Sequence, residues 1–326
     1  KQEIFKSLDT VTKDHAILAS NTSGLDIDAI AASTVRPEKV VGTHFFSPAN
    51  VMRLLEVVRG KDSSDETMAT VMSIGKRMGK AAVVSLNAPG FIGNRMLAGY
   101  TYQANMLLLE GALPNQVDSA LESFGMSMGP FRMMDLVGLD LGWRARKLAD
   151  IETPLANKIS DALCEQDRYG QKTSKGFYNY SEGSRAPNPA PENEAIYKEI
   201  SEQNNIERRE VSDQEIIDRC ILALVNEGAR ILEEGVAQRS GDMDIVYING
   251  YGFPIWRGGP MFYANQLGLS EVINKMSGFS ELDEHFWKPA PLLKKLADES
   301  GAFGEAPAPE DRSELLSFKK ANMGGV

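Results

Sequence analysis

Four polar residues in the first third of the chain could together perform acid–base chemistry on a substrate oxygen. His44 follows a β-rich run and precedes Phe-Phe-Ser-Pro, while Glu56 lies inside the apolar run Leu-Leu-Glu-Val-Val. Because a carboxylate in an apolar setting needs a partner, a Glu beside a His can orient the imidazole for proton transfer. Ser23 and Asn94 add neutral donors that could bind a substrate oxygen near that imidazole.

Each of these residues also has a structural interpretation. On residue type alone, a single His at a strand end is more often packed or hydrogen-bonded than catalytic, and Glu56 could be a surface residue at a strand end. Ser23 could cap a helix that starts near Leu25, and Asn94 could cap the helix that follows Gly93. Capping and substrate binding are compatible, because a capping side chain can also offer its amide to a substrate.

The elements that must position these side chains alternate between helix and strand up to about residue 87. Short β-rich runs are separated by amphipathic segments with acidic residues in their first turns. The pattern predicts strands at 16–20, 40–46, 54–58 and 81–85, and helices at 1–11, 25–33 and 65–78. This alternation is typical of an α/β fold and indicates part of a doubly wound, Rossmann-like sheet.

Beyond residue 88 the pattern becomes all-helical, and one helical pattern occurs twice. The pair Val117-Asp118 returns as Met243-Asp244, and Gly129-Pro130 returns as Gly259-Pro260. A shared skeleton at similar spacing indicates duplication of one helical unit. We therefore predict an α/β region followed by two repeated helical domains.

Changes of pattern give the domain boundaries. The Pro-rich stretch at 184–191 argues against a helix and predicts a linker, and Ser212 with Glu215 predicts a capping box at the start of the second copy. We predict an α/β domain at 1–88, a first helical domain at 89–183, a linker at 184–210, a second helical domain at 211–310 and a tail at 311–326.

Four segments in this order resemble the L-3-hydroxyacyl-CoA dehydrogenase family. They are Ser-Asn-Thr-Ser at 20–23, Gly-Thr-His-Phe-Phe-Ser-Pro at 42–48, Leu-Leu-Glu-Val-Val at 54–58 and Pro-Gly-Phe-Ile-Gly-Asn-Arg at 89–95. The chain is similar, over nearly its whole length, to the dehydrogenase part of the multifunctional fatty-acid β-oxidation enzymes. The resemblance implies NAD-dependent oxidation of (S)-3-hydroxyacyl-CoA to 3-oxoacyl-CoA, with 1–88 as the C-terminal part of the NAD-binding domain.

The resemblance also implies roles for individual residues. His44 corresponds to the catalytic base, Glu56 to its orienting carboxylate, and Ser23 and Asn94 to substrate-binding residues. On the cofactor side it implies Lys1, Asn21 and Ser47, although many family members have Asn in place of Ser47. Two alternatives stay open at this point: a non-catalytic assembly or substrate-channelling piece, and a dehydrogenase of short 3-hydroxy acids without CoA.

Composition excludes several other classes of function. The 326 residues carry a net charge of -10, which argues against binding to nucleic acid or to anionic membranes. The sequence contains no apolar run long enough to predict a membrane span. Its two cysteines, Cys164 and Cys220, are too few for a disulfide framework, and three scattered histidines predict no metal site.

The start of the sequence, at Lys1 rather than Met, suggests a fragment of a longer polypeptide. No Gly-x-Gly-x-x-Gly turn precedes the first predicted strand, although this turn holds the pyrophosphate in dinucleotide-binding domains. We expect a fragment that alone binds NAD weakly, with the missing part, and in some family members an enoyl-CoA hydratase domain, upstream. The last residues are not a Ser-Lys-Leu-type address, so a bacterial cytoplasmic location is favoured over a peroxisomal one, and assembly with other β-oxidation enzymes is expected.

Overall fold

The computed structural model describes residues 1–306. Within them the chain forms two compact units. One unit comprises residues 1–97 together with the chain from residue 224 onward, and the other comprises residues 98–223. The predicted tail at 311–326, and the last residues of the predicted second helical domain, lie outside the described residues.

A four-stranded sheet forms the first part of the first unit. Its strands are β1 (Leu18–Ser20), β2 (Val40–Phe45), β3 (Leu54–Arg59) and β4 (Ala81–Leu86). They lie side by side in chain order. Successive residues of β2 and β3 are buried, so both faces of these strands are covered. Runs of Val and Leu suit such strands, because β-branched and apolar side chains pack well on a pleated surface.

The sheet is mixed rather than all parallel. β1 pairs in parallel with β2 and β3 in parallel with β4, whereas β2 and β3 are antiparallel. Only residues 46–53 connect β2 to β3, and a parallel crossover needs a dozen or more residues, usually including a helix. The chain therefore reverses between these strands.

Three helices pack beside these strands: α1 (Gln2–Val11), α2 (Ile27–Ala31) and α3 (Asp65–Arg77). Phe5 of α1 joins Ile27 and Ile30 of α2 in one buried apolar cluster with β1 and β2 residues. The helix starts are set by capping side chains. Asp26 accepts two backbone N–H bonds at the start of α2, and Ser64 accepts one at the start of α3.

The second unit is built mainly of helices. Helix α4 (Gly93–Glu110) starts in the first unit and ends in the second. The elements that follow are α5 (Pro114–Phe124), α6 (Pro130–Val137), α7 (Asp140–Ala149), α8 (Lys158–Glu165), the paired strands β5 (Asn179–Tyr180) and β6 (Pro187–Asn188), and α9 (Glu194–Gln203).

The predicted linker at 184–210 contains the helix α9, which packs against α8. Tyr197 and Ile200 are buried on one face of this helix, three residues apart as helical neighbours are. Residues 194–203 are therefore helix rather than linker, and the Pro-rich stretch at 184–191 includes the strand β6.

Helix α10 (Asp213–Glu233) leads back to the first unit. Ser212 caps it as predicted, since its hydroxyl accepts the N–H of Glu215. The Glu215 carboxylate contacts the Arg209 guanidinium instead of completing a capping box. The remaining helices are α11 (Ser240–Gly250), α12 (Pro260–Leu267), α13 (Leu269–Ser277), α14 (Glu284–Trp287) and α15 (Pro291–Asp298).

Helix α11 packs on β3 and β4 of the sheet. Gly250 at its end lies so close to the Leu54 side chain that an added Cβ would collide with it. At the end of β4, the Leu86 N–H donates to the carbonyl of Val236, 2.9 Å away. The second helical copy thus covers part of the sheet within the first unit.

The two helical copies share one capping arrangement, as their repeated sequence pattern predicts. Asp118 accepts the N–H groups of Phe131 and Arg132 at the start of α6. Asp244 accepts those of Met261 and Phe262 at the start of α12. In both copies the glycine before the helix lies against the Asp side chain, where a Cβ would collide.

Candidate active site

His44 and Glu56 form a buried pair on neighbouring strands. They are register partners in the antiparallel pairing of β2 with β3, so their side chains leave the same face of the sheet. His44 Nδ1 lies 2.6 Å from Glu56 Oε2. Glu56 is 0% exposed and His44 6% exposed. A carboxylate at Nδ1 favours the tautomer with the proton on that nitrogen, which leaves Nε2 with its lone pair.

The second carboxylate oxygen of Glu56 is held by the start of α4. Its Oε1 accepts the N–H of Gly93 at 2.9 Å and that of Ile92 at 3.2 Å. The turn that aims these groups contains two residues in the left-handed region, Gly90 at φ 73° and Phe91 at φ 54°. Two N–H groups at a helix start thus bind the Glu56 side chain and fix its position relative to His44.

Aromatic rings surround the His44 imidazole. The Phe46 ring centroid lies 4.4 Å from that of His44, and the Phe91 centroid lies 6.0 Å away. Tyr251 packs edge-on against Phe46 at 5.3 Å. These rings restrict the imidazole to one orientation and keep its surroundings apolar, which strengthens its interaction with Glu56.

Asn94 lies in the first turn of α4, directly after Gly93. Its Nδ2 donates to the main-chain carbonyl of Ser23 at 3.1 Å, and its Oδ1 accepts from the Tyr251 hydroxyl at 2.8 Å. Ser23 is exposed and does not cap α2, because Asp26 holds that position. The structure therefore brings the two predicted substrate-binding residues into contact with each other beside the His–Glu pair.

Of the three predicted cofactor residues, Asn21 and Ser47 lie just after the ends of neighbouring strands, whereas Lys1 lies at the start of α1. Asn21 directly follows β1, is exposed, and accepts the Phe45 N–H through Oδ1 at 3.2 Å. Ser47 is exposed two residues after the end of β2. Because β1 and β2 are parallel, both residues lie at the same edge of the sheet, where open α/β sheets bind nucleotides. Lys1 is exposed at the start of α1, and its role stays a prediction.

Polar groups at this edge fit a bound dinucleotide. Ser20, the last residue of β1, buries its hydroxyl without a hydrogen-bond partner among residues 1–306. The exposed side chains of Asn21 and Ser47 can donate and accept hydrogen bonds beside it. A nicotinamide nucleotide is therefore compatible with the residues present.

Two tyrosines near the site had no signal in the sequence. Tyr251 contacts Asn94, and Tyr247 donates to the carbonyl of Gly93 at 3.2 Å. The two rings stack with centroids 4.8 Å apart. Each tyrosine lies more than 150 positions after the residue it contacts, so only the folded chain reveals their proximity.

Three further properties of residues 1–306 concern metal-ligand clusters, membrane-spanning helices and the two cysteines. This part of the chain contains no cluster of three or more His, Cys, Asp or Glu residues that could hold a metal ion. None of its helices combines the length and apolarity needed to cross a bilayer. Cys164 and Cys220 are free, buried thiols.

Comparison with protein families gives two matches in succession. Residues 1–88 match the NAD binding domain of 3-hydroxyacyl-CoA dehydrogenase, and residues 90–180 match the C-terminal domain of the same family. Together the two matches cover more than half of the chain. They confirm the α/β-then-helical fold and the resemblance predicted from the sequence.

Relatives of this chain include much longer proteins. The peroxisomal bifunctional enzyme of Danio rerio is 46% identical over 335 residues, a match that covers 98% of this chain and 46% of the relative. The fatty acid oxidation complex subunit alpha of a Psychrobacter species is 37% identical over 297 residues, covering 90% of this chain and 41% of the relative. The chain thus spans less than half the length of these two relatives.

A solved structure extends the likeness to the fold. The dehydrogenase part of multifunctional enzyme 1 from C. elegans is 34% identical and superposes with a TM-score of 0.67. That match covers 90% of this chain and 68% of the solved chain.

Proposed function

Because the chain belongs to the 3-hydroxyacyl-CoA dehydrogenase family, we propose that it oxidises (S)-3-hydroxyacyl-CoA to 3-oxoacyl-CoA with NAD, as a step of fatty-acid β-oxidation. The names of the long relatives support this reaction. The observation that carries the proposal is the buried contact of 2.6 Å between His44 Nδ1 and Glu56 Oε2. It gives one imidazole a fixed orientation and a charged partner.

His44 acts as the base in this reaction. Glu56 occupies Nδ1, so Nε2 is the ring nitrogen that accepts the proton of the C3 hydroxyl. The bound nicotinamide supplies the hydride acceptor, which is chemistry that belongs to the cofactor. As His44 gains its proton it becomes a cation, and the adjacent Glu56 carboxylate stabilises that charge.

Asn94 and Ser23 orient the substrate oxygen. An amide nitrogen carries two hydrogens, and only one of those on Asn94 is directed to the Ser23 carbonyl. The second can donate to an oxygen of the substrate, and the exposed Ser23 hydroxyl offers another donor. Donors fixed before the reaction stabilise developing charge without reorganisation.

Asn21, Ser47 and Lys1 form the cofactor side of this proposal. Asn21 and Ser47 share the sheet edge described above, which supports their assignment. Lys1 rests on the resemblance alone. We also propose the domain limits that the sequence pattern predicts. They are 1–88, 89–183, 184–210, 211–310 and 311–326, although the helix α9 occupies part of the predicted linker.

Partners and location are also proposals. The relatives are named for a bifunctional enzyme and for a subunit of a complex, which supports assembly with other β-oxidation enzymes. One relative is named for the peroxisome and the other comes from a bacterium. We place this chain in the bacterial cytoplasm, with the peroxisome as the alternative.

Substrate comparison tests the proposed reaction. NADH formation is measured with (S)-3-hydroxybutyryl-CoA and with free (S)-3-hydroxybutyrate, over a wide range of NAD concentration because the sequence lacks a glycine-rich turn. We expect turnover of the CoA thioester and much lower turnover of the free acid. Preference for the free acid would favour a short 3-hydroxy acid dehydrogenase, and no turnover of either at NAD concentrations that saturate binding would favour a non-catalytic assembly piece.

A further inference from the structure

Tyr251, a residue of the second helical copy, contacts the side chain of Asn94 directly. Its hydroxyl donates to Asn94 Oδ1 at 2.8 Å, and its ring packs edge-on against Phe46, which in turn packs on His44. It also lies against Gly93, where an added Cβ would come within 2.6 Å of the tyrosine ring. Tyr251 therefore contacts Asn94, Phe46 and Gly93, although the proposed reaction assigns it no role.

The orientation of the Asn94 amide depends on two neighbours. The Ser23 carbonyl can only accept, so it selects the Nδ2 side of the amide. Tyr251 then meets the Oδ1 side. Burial, followed by the nearby Glu56 charge, raises the pKa of the Tyr251 phenol well above its usual range, so the phenol stays protonated and remains a donor.

We propose that Tyr251 is a positioning residue for the dehydrogenase reaction: it locks the Asn94 amide so that the second Nδ2 hydrogen points at the substrate oxygen. Without the phenol, Oδ1 loses its donor and the amide can rotate about its terminal torsion, which has a broad energy well. The proposal rests on the proposed function, because it assigns Tyr251 a role through Asn94. It means that the second helical copy contributes directly to the catalytic geometry.

A double-mutant cycle tests this role. Tyr251→Phe removes the hydroxyl and keeps the ring, and it is combined with Asn94→Ala, with kcat and KM measured for (S)-3-hydroxybutyryl-CoA. We expect Tyr251→Phe to lower kcat/KM by about tenfold, as expected for the loss of one hydrogen bond that orients a donor. In the Asn94→Ala background it should change kcat/KM by less than about twofold, because the residue it positions is gone.

Tyr180→Phe is the matched control. It removes the phenol that donates to Asp135 at 2.9 Å in the other unit, so it also loses a buried hydrogen bond but lies outside the catalytic segments. Thermal unfolding of all variants separates lost stability from lost positioning. A similar loss of kcat/KM from Tyr251→Phe in both backgrounds would overturn the proposal, as would no loss in either.

A second measurement does not depend on turnover. In the chain labelled at asparagine side-chain nitrogens, the NMR signal that disappears in Asn94→Ala belongs to Asn94. Tyr251→Phe should shift that signal and leave most others in place, and an unchanged signal would overturn the proposal. Failure of the proposed function looks different, because the native chain would then not turn over (S)-3-hydroxybutyryl-CoA while the amide signal still responds to Tyr251→Phe.

Discussion

His44 and Glu56 are direct register partners across β2 and β3, and His44 Nδ1 lies 2.6 Å from Glu56 Oε2. The antiparallel pairing of these strands places the two positions directly opposite each other. In the turn before α4, the backbone N–H groups of Ile92 and Gly93 donate to the other carboxylate oxygen of Glu56, Oε1. One carboxylate thus links the sheet, the base and the first turn of α4.

Replacement of Glu56 by Gln should reduce both turnover and stability. The Gln amide has one acceptor oxygen, so it cannot accept both from His44 and from the Gly93 and Ile92 N–H groups, and it no longer stabilises the imidazolium that forms in the reaction. We expect kcat for (S)-3-hydroxybutyryl-CoA to fall by about 10²-fold with KM changed less, in steady-state NADH assays. Glu66→Gln, which alters an exposed carboxylate on α3, is the control, and an equal effect of the two substitutions would contradict this role.

Gly93→Ala should disturb both stability and activity. Its Cβ would come within 2.6 Å of the Tyr251 ring, and overpacking of this kind costs about 1–3 kcal/mol. Movement of the Gly93 N–H would also weaken its bond to Glu56, so kcat/KM should fall. Denaturant unfolding and NADH assays measure the two effects.

Gly241→Ala serves as the control for Gly93→Ala. Gly241 lies in α11 with open space around an added Cβ, and Ala favours a helix by up to about 1 kcal/mol over Gly. We expect this variant to be unchanged or slightly more stable. Equal stability of Gly93→Ala and the native chain would show that the packing of Tyr251 is loose.

Arg95→Lys should destabilise the start of α4. The Arg95 guanidinium contacts Glu227 through Nε at 2.6 Å and Glu234 through Nη1 at 2.5 Å and Nη2 at 2.8 Å. A lysine ammonium cannot reproduce this fork, and lost charge-assisted bonds cost about 1–3 kcal/mol. Urea unfolding should show this loss, whereas Arg59→Lys, at an ion pair whose Asp65 partner is well exposed, should change stability by less than about 0.5 kcal/mol. Similar losses in both variants would contradict the structural role of Arg95.

The sequence indicated His44 and Glu56 as a possible interacting pair, and the structure places them in contact, but their geometry was not predicted. The apolar flanks of Glu56 indicated burial, and the family pattern singled out His44. Their register could not be derived, because it depends on how the chain reverses over residues 46–53, which neither periodicity nor propensity specifies. The geometry therefore had to come from the folded chain.

Some other structural features could be predicted from the sequence and others could not. Helix α9 had a readable signal in the spacing of Tyr197 and Ile200, but the Pro-rich stretch before it dominated the interpretation. Tyr251 had none, because its contact with Asn94 joins positions 157 residues apart. The sequence allows Ser23 as the cap of a helix starting near Leu25, but α2 starts at Ile27 and is capped by Asp26.

Asp244→Asn should change how stability depends on pH. Burial raises the pKa of the Asp244 carboxyl to about 7, whereas an unfolded Asp titrates near about 4. Between these pH values the folded chain binds more protons than the unfolded chain, so this group makes the free energy of unfolding fall as pH rises from about 4 to about 7. The Asn side chain can still accept from Met261 and Phe262 but does not titrate.

Urea unfolding at about pH 5 and about pH 8 measures this dependence. The variant is expected to lose less stability than the native chain on going to the higher pH. Asp118→Asn should act in the same direction, because burial also raises the pKa of Asp118 to about 7. An unchanged difference between the two pH values in Asp244→Asn would contradict the prediction.

Turnover of His44→Gln measures the central claim most directly, since this substitution removes the base and keeps a polar side chain of similar size. His285→Gln is the control, because His285 is exposed on α14. With (S)-3-hydroxybutyryl-CoA and NAD, we predict that kcat falls by about 10³-fold or more in His44→Gln and is close to native in the control. A near-native rate in a folded His44→Gln chain would contradict the assignment of His44 as the base that Glu56 orients.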